Sequence, residues 1–65
     1  MFVIVWLKAG IPIEKETTLL ASEAEAIAAA VDRASSAAKR HRGREPDSFR
    51  LTDATGRILG VYPIE

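Results

Sequence analysis

Residues 39–44 read KRHRGR, placing Lys39, Arg40, Arg42 and Arg44 around His41, the one histidine of the chain. Guanidinium and ammonium groups at this density can hold phosphate oxygens through a salt-sensitive, sequence-independent attraction. The same residues also suit the last turn of a helix, whose free carbonyls carry partial negative charge. A second chemical pair is Glu14 and Glu16, two positions apart and therefore on one side of any strand that contains them. Two such carboxylates can pair, but no pocket-forming sequence surrounds them. The expected reading is a charged sheet edge.

Nucleophilic chemistry has little to draw on. There is no cysteine, so thiolate catalysis, disulfides and cysteine-based zinc sites are excluded. Ser22 is placed to cap a helix, and Ser35 and Ser36 fall in its middle, away from any base–orienter pair. One histidine cannot ligate a metal alone, and the acids lack calcium-loop spacing. A chain this short also rarely encloses a pocket of several hundred cubic ångströms. The expectation is a non-enzyme with no cofactor, no metal and no small-molecule substrate.

The elements that would position these groups come from hydrophobic patterning. Residues 2–7, FVIVWL, form an unbroken apolar run rich in β-branched and aromatic side chains, which predicts a strand. Alternation puts Phe2, Ile4 and Trp6 on one face and Val3, Val5 and Leu7 on the other, so both faces are apolar. Such a strand belongs in the interior of a sheet. KAGIP reads as a turn, and IPIEKETTLL as a second strand starting at Pro12. SEAE is a capping box in which Glu25 offers its N–H to the Ser22 hydroxyl and returns its carboxylate to the Ser22 N–H. A helix is predicted from there to Arg42, with Gly43 ending it in a left-handed turn. Its buried stripe is expected at Ala24, Ile27, Ala28, Val31, Ala34 and Ala38. SFRLT is a third strand, DATG a turn, and RILGVYPI a fourth strand in which Gly60 marks a bulge or a close approach.

The order β-β-α-β-β predicts one α+β domain over residues 1–65, a small, mostly antiparallel sheet with one helix packed on one face. SEAEAIAAA after two strands, followed by FRLTDATGRILG as a hairpin, resembles small bacterial β-β-α-β-β domain families with an EAI-type helix start and a GRI-type hairpin. Here the hairpin reads Thr55-Gly56-Arg57-Ile58, without an aspartate before the glycine. The likeness covers residues 17–60. It implies the fold and no active site, because those families are themselves largely without an assigned function.

Charge is balanced over the whole chain but not along it. Residues 1–32 carry two lysines against five acids, and residues 33–65 carry seven basic residues against four acids. A helix acidic at Glu23 and Glu25 and basic at Lys39 and Arg40 accounts for much of this. A helix of residues 23–42 would span about 30 Å and a six-residue strand about 20 Å, so the basic end is expected to overhang the sheet. That overhang makes Lys39, Arg40, Arg42 and Arg44 the candidate contact for a polyanion, a weak and sequence-independent DNA or RNA grip.

The main functional expectation is self-association. A 65-residue chain buries only about 60% of its unfolded surface, so it is marginal without a disulfide, metal or partner chain. One helix roofs one sheet face, and the other is expected to remain open and apolar. That face would carry Val3, Val5 and Leu7 with Leu59 and Val61, or else Phe2, Ile4 and Trp6 with Ile58 and Tyr62. Packing two such faces would give a homodimer. The apolar run at residues 2–7 is too short to cross a bilayer, which needs about 20 apolar residues. A cytoplasmic protein without membrane contact is the expectation.

Overall fold

The apolar run at the start of the chain forms β1 (Phe2–Lys8), and it is an interior strand. The computed structural model describes residues 1–64 and orders one antiparallel sheet as β2-β1-β3-β4. Here β2 is Ile11–Thr18, β3 is Ser48–Asp53 and β4 is Ile58–Pro63, while helix α1 (Glu23–Arg40) links β2 to β3. The predicted α+β fold, with one helix on one face of a four-stranded sheet, is the observed one. No helix among the described residues is long and apolar enough to cross a membrane.

Strand register divides the side chains into two layers. On the helix side, one row crosses the sheet as Glu14, Trp6, Phe49 and Tyr62, and the next as Glu16, Ile4, Leu51 and Gly60. On the open side the rows read Lys15, Val5, Arg50 and Val61; then Thr17, Val3, Thr52 and Ile58; then Pro12, Leu7, Ser48 and Pro63. A register shift in β4 falls at Leu59, between the partners of Leu51 and Thr52. This bulge turns Leu59 toward the helix-side core, so it leaves the open face where the sequence placed it.

The core is a layer of large sheet side chains under small helix side chains. Ile4, Trp6, Phe49 and Leu51 are fully buried, and Ala26, Ala30 and Ala37 cover them. The helix is therefore rotated relative to the predicted stripe: Ala24, Ala28 and Val31 are exposed, and only Ile27, Ala34 and Ala38 of that set are partly buried. Volume explains the rotation. An indole and a phenyl ring fill the interlayer space, so the narrowest face of the helix, its alanines, must point down. The rings of Trp6 and Phe49 meet edge-on at 5.9 Å, and Phe49 and Tyr62 lie tilted at 5.3 Å, continuing the aromatic row into β4.

The turns follow from local chemistry. Ala9 and Gly10 join β1 to β2 with φ of 52° and 79°, the left-handed pair of a two-residue hairpin. Alanine pays for that conformation with strain, and the Asp47 carboxylate steadies it by accepting the Ala9 N–H at 3.1 Å. At the other hairpin, Asp53 accepts from the Thr55 N–H, the Thr55 hydroxyl and the Arg57 N–H, at 2.9, 2.6 and 3.0 Å. These bonds, the Thr55 hydroxyl first, hold the Asp53 carboxyl below its ordinary range. The helix cap forms as predicted at Ser22, whose Oγ accepts the Glu25 N–H at 3.2 Å. The return arm differs by one residue: Glu25 accepts from the N–H of Ala21, not Ser22.

Candidate functional site

The basic run is the first sequence candidate, and the fold takes Arg40 out of it. Helix α1 stops at Arg40, two residues earlier than predicted, and His41 closes it by donating its N–H to the Ala37 carbonyl. Because Ala37 faces the sheet, Arg40 and His41 follow one turn later on the same side and reach β2. Arg40 donates from Nε and Nη2 to the two carboxylate oxygens of Glu14, both at 3.1 Å, a bidentate clamp. Its Nη2 also lies 3.4 Å from Glu16. His41 Nε2 bonds the Glu14 carboxylate, and the Trp6 indole N–H donates to Glu16 at 2.6 Å. The helix end is therefore not a free overhang, because the side chains of Arg40 and His41 tie it to β2.

This five-residue network answers the charge asymmetry of the sequence. Glu14 and Glu16 of β2 and Arg40 at the helix end neutralise one another across the interlayer edge. The hydrogen bond from His41, then those from Arg40, hold the Glu14 carboxyl below its ordinary value of 4.5. Glu14 and Glu16 are thus not a bare solvated edge. Their side chains retain only 27% and 23% exposure. A carboxylate-oriented histidine is the arrangement of a general base. However, Glu14 is itself clamped by arginine, and no serine or threonine hydroxyl lines the adjoining cleft. That cleft, about 420 Å³, is walled by Lys8, Ala9, Ile11, Pro12, Ile13, His41 and Arg44. Of the polyanion candidates, Lys39, Arg42 and Arg44 are exposed and make no ion pair among the described residues.

The open sheet face is the second candidate. Val3 is half-buried there, Val61 is 57% exposed, and Val5 and Leu7 are already hidden at 3% and 5% exposure. The register gives the reason: Val5 lies between Lys15 and Arg50, whose long apolar stems can lie over it. The expected interface of Val3, Val5, Leu7, Leu59 and Val61 is therefore corrected on three counts. Leu59 faces the helix, and Val5 and Leu7 are sheltered within one copy of the chain. Stacking two such faces would also set Lys15 and Arg50 against their own copies.

Sequence reasoning missed the feature that the fold leaves most available, the free edge of β4. The two sheet edges differ in composition. The outer edge β2 carries Pro12 and the charged Glu14, Lys15 and Glu16, whereas β4 reads ILGVYP without a charge. Helix α1 packs mainly on the two inner strands β1 and β3, while Leu59 and Tyr62 of β4 pack into the core beneath it. Ile58 and Val61 are each 57% exposed on one side of that edge. On its other side, an apolar groove of about 230 Å³ is lined by Val31, Ala34, Phe49, Pro63 and Ile64, with Val31 itself 64% exposed. The uncharged stretch was legible as a signal, but only strand order reveals that β4 is terminal. No family model matches this chain, no curated protein matches it, and no solved structure matches it.

Proposed function

We propose that the chain is a non-catalytic interaction module that self-associates, and that the contact is the β4 edge, not the open sheet face. The observation that carries this is an uncharged edge strand in a sheet whose opposite edge is charged. Unpaired N–H and C=O groups along such an edge template the addition of another strand, and edges that avoid pairing carry lysine, proline or a cover. Between the bulge at Leu59 and Pro63, β4 carries neither lysine nor proline.

A second copy fits the edge because it presents the same strand. Antiparallel pairing of β4 with its twofold mate places apolar side chains against apolar side chains and brings no like charges together. The two sheets then continue as one, and Val31 and the neighbouring groove gain shelter beside the new seam. For a domain of this size, such pairing supplies the additional burial that a small core lacks.

Sedimentation velocity on the intact chain tests the reading. A dimer at micromolar concentration that dissociates in Val61→Lys is the expected result, since Val61 is exposed and an edge lysine blocks pairing without entering the core. A wild-type chain that stays monomeric up to millimolar concentration would overturn it.

A further inference from the structure

The open sheet face carries a second surface, distinct from the β4 edge in position and in the partner it suits. Arg50 lies at its centre, between Val5 and Val61 in register. Its Nε is buried and has no hydrogen-bond partner among the described residues. Buried guanidinium N–H groups are nearly always paired, and an orphan one needs an acceptor from elsewhere. The surrounding rows supply no carboxylate. Lys15, Thr17, Thr52 and Ser48 are the other polar residues in these rows, so the fixed charge of the rows is positive, and the carboxylate at their margin, Asp47, already accepts from Ser48 and from the Ala9 N–H. Beneath and beside them lie Val3, Val5 and Leu7, with Ile58 and Val61 exposed at the β4 end.

We infer that this face docks an acidic segment of a partner protein, one that lays apolar side chains over Val3, Val61 and Ile58 and delivers a carboxylate to the Arg50 guanidinium. Charge complementarity selects the occupant. A second copy of this chain would bring only further cations to this face and no carboxylate from the same rows. An anionic segment pairs with the accessible end of the Arg50 guanidinium and neutralises Lys15, and a planar carboxylate matches the arginine fork. Docking here leaves the β4 edge free, so the inference does not depend on self-association.

The test is a nuclear magnetic resonance titration of the isotope-labelled chain with a synthetic peptide of alternating valine and glutamate. The same peptide with lysine in place of glutamate is the control. The expected result is saturable movement of the Arg50 Nε–H signal and of the Val3, Val5 and Val61 amides with the acidic peptide only. Arg50→Leu, which keeps the apolar stem, and Arg50→Lys, which keeps the charge, should each weaken binding about tenfold, the equivalent of one charge-assisted hydrogen bond. Unchanged binding by Arg50→Lys would show that charge alone acts and would overturn the assigned role of the guanidinium. Movement centred on Lys39, Arg42 and Arg44, equal response to the lysine peptide, or no movement would overturn the surface. If the Arg50 Nε–H signal instead shifts with protein concentration in the absence of peptide, a second copy occupies the face and the inference fails, whatever Val61→Lys does to the dimer.

Discussion

Replacing Trp6 by phenylalanine tests whether the charged network is tied into the core or merely lies beside it. Trp6 is fully buried, and its indole N–H donates to Glu16 at 2.6 Å. The substitution has two separable costs. Shrinking an indole to a phenyl ring under the alanine face leaves a void, worth about 1–2 kcal/mol on the scale of partial large-to-small core changes. Losing a hydrogen bond to a charged acceptor costs about 1.5–3 kcal/mol. The lower end applies here, because the Glu16 side chain is 23% exposed and water can replace part of the bond. The sum is about 3 kcal/mol. A 65-residue domain has a total stability of about 3–10 kcal/mol, so Trp6→Phe should bring the chain near its unfolding threshold.

A double-mutant cycle with Glu16→Ala separates the bond from the void. Urea unfolding is followed by far-ultraviolet circular dichroism, because Trp6 is the one tryptophan and the variant loses its fluorescence. With a slope of about 1 kcal/mol per molar urea, a loss of about 3 kcal/mol lowers the midpoint by about 3 M. The contact of Glu16 with Arg40 is removed in both Glu16→Ala legs and cancels. The expected coupling between Trp6 and Glu16 is about 1.5 kcal/mol. A coupling under about 0.5 kcal/mol, the level at which independent sites already add, would refute the claim that the indole anchors the acid.

Three further outcomes follow from the geometry. Glu14 is held ionised by His41 and Arg40, so its folded value lies below its unfolded one. Its contribution is present above about pH 4.5 and is lost as pH falls through the lowered folded value. Glu14→Gln should therefore flatten the acid limb of a stability–pH curve, and an unchanged limb would contradict the assignment. Ala9→Asn should raise stability by about 0.5–1 kcal/mol, several degrees in a thermal melt, because asparagine accepts the left-handed conformation that alanine holds at φ 52°. Gly60→Ala would bring a methyl group within 2.8 Å of the Tyr62 hydroxyl oxygen, so the ring must swing away from Phe49 at a loss of about 1 kcal/mol, a loss that should vanish in a Tyr62→Ala background.

The sequence carried the fold because its strongest signals are local. The apolar run at residues 2–7 implied an interior strand, Ser22 and Glu25 marked the helix start, and Ala9-Gly10 and Gly56 marked turns. What stayed hidden depends on how distant elements meet. The helix rotated onto alanines because Trp6 and Phe49 occupy the space beneath it, and helical periodicity alone could not weigh those volumes. The same rotation aimed Arg40 and His41 at β2, so a run that reads as a polyanion grip became half of an ion network. Leu59 changed faces through a single bulge, which strict alternation cannot anticipate. The burial of Val5 and Leu7 depends on Lys15 and Arg50, neighbours assigned only by strand order.

The ion network also bears on which surfaces stay free. A helix with an alanine face has little shape to fix its position along a sheet, and small side chains alone would let it slide across the strands. Arg40 and His41 remove that freedom at one end by bonding to Glu14 and Glu16 on β2. Hence the charged edge is the protected one twice over, by its own residues and by the helix end docked on it. The uncharged edge keeps its backbone groups, with Val61 and Ile58 beside them, open to solvent. The pairing of Glu14 and Glu16 with Arg40 and His41 thus ties the helix end to the charged edge and leaves β4 as the uncharged one.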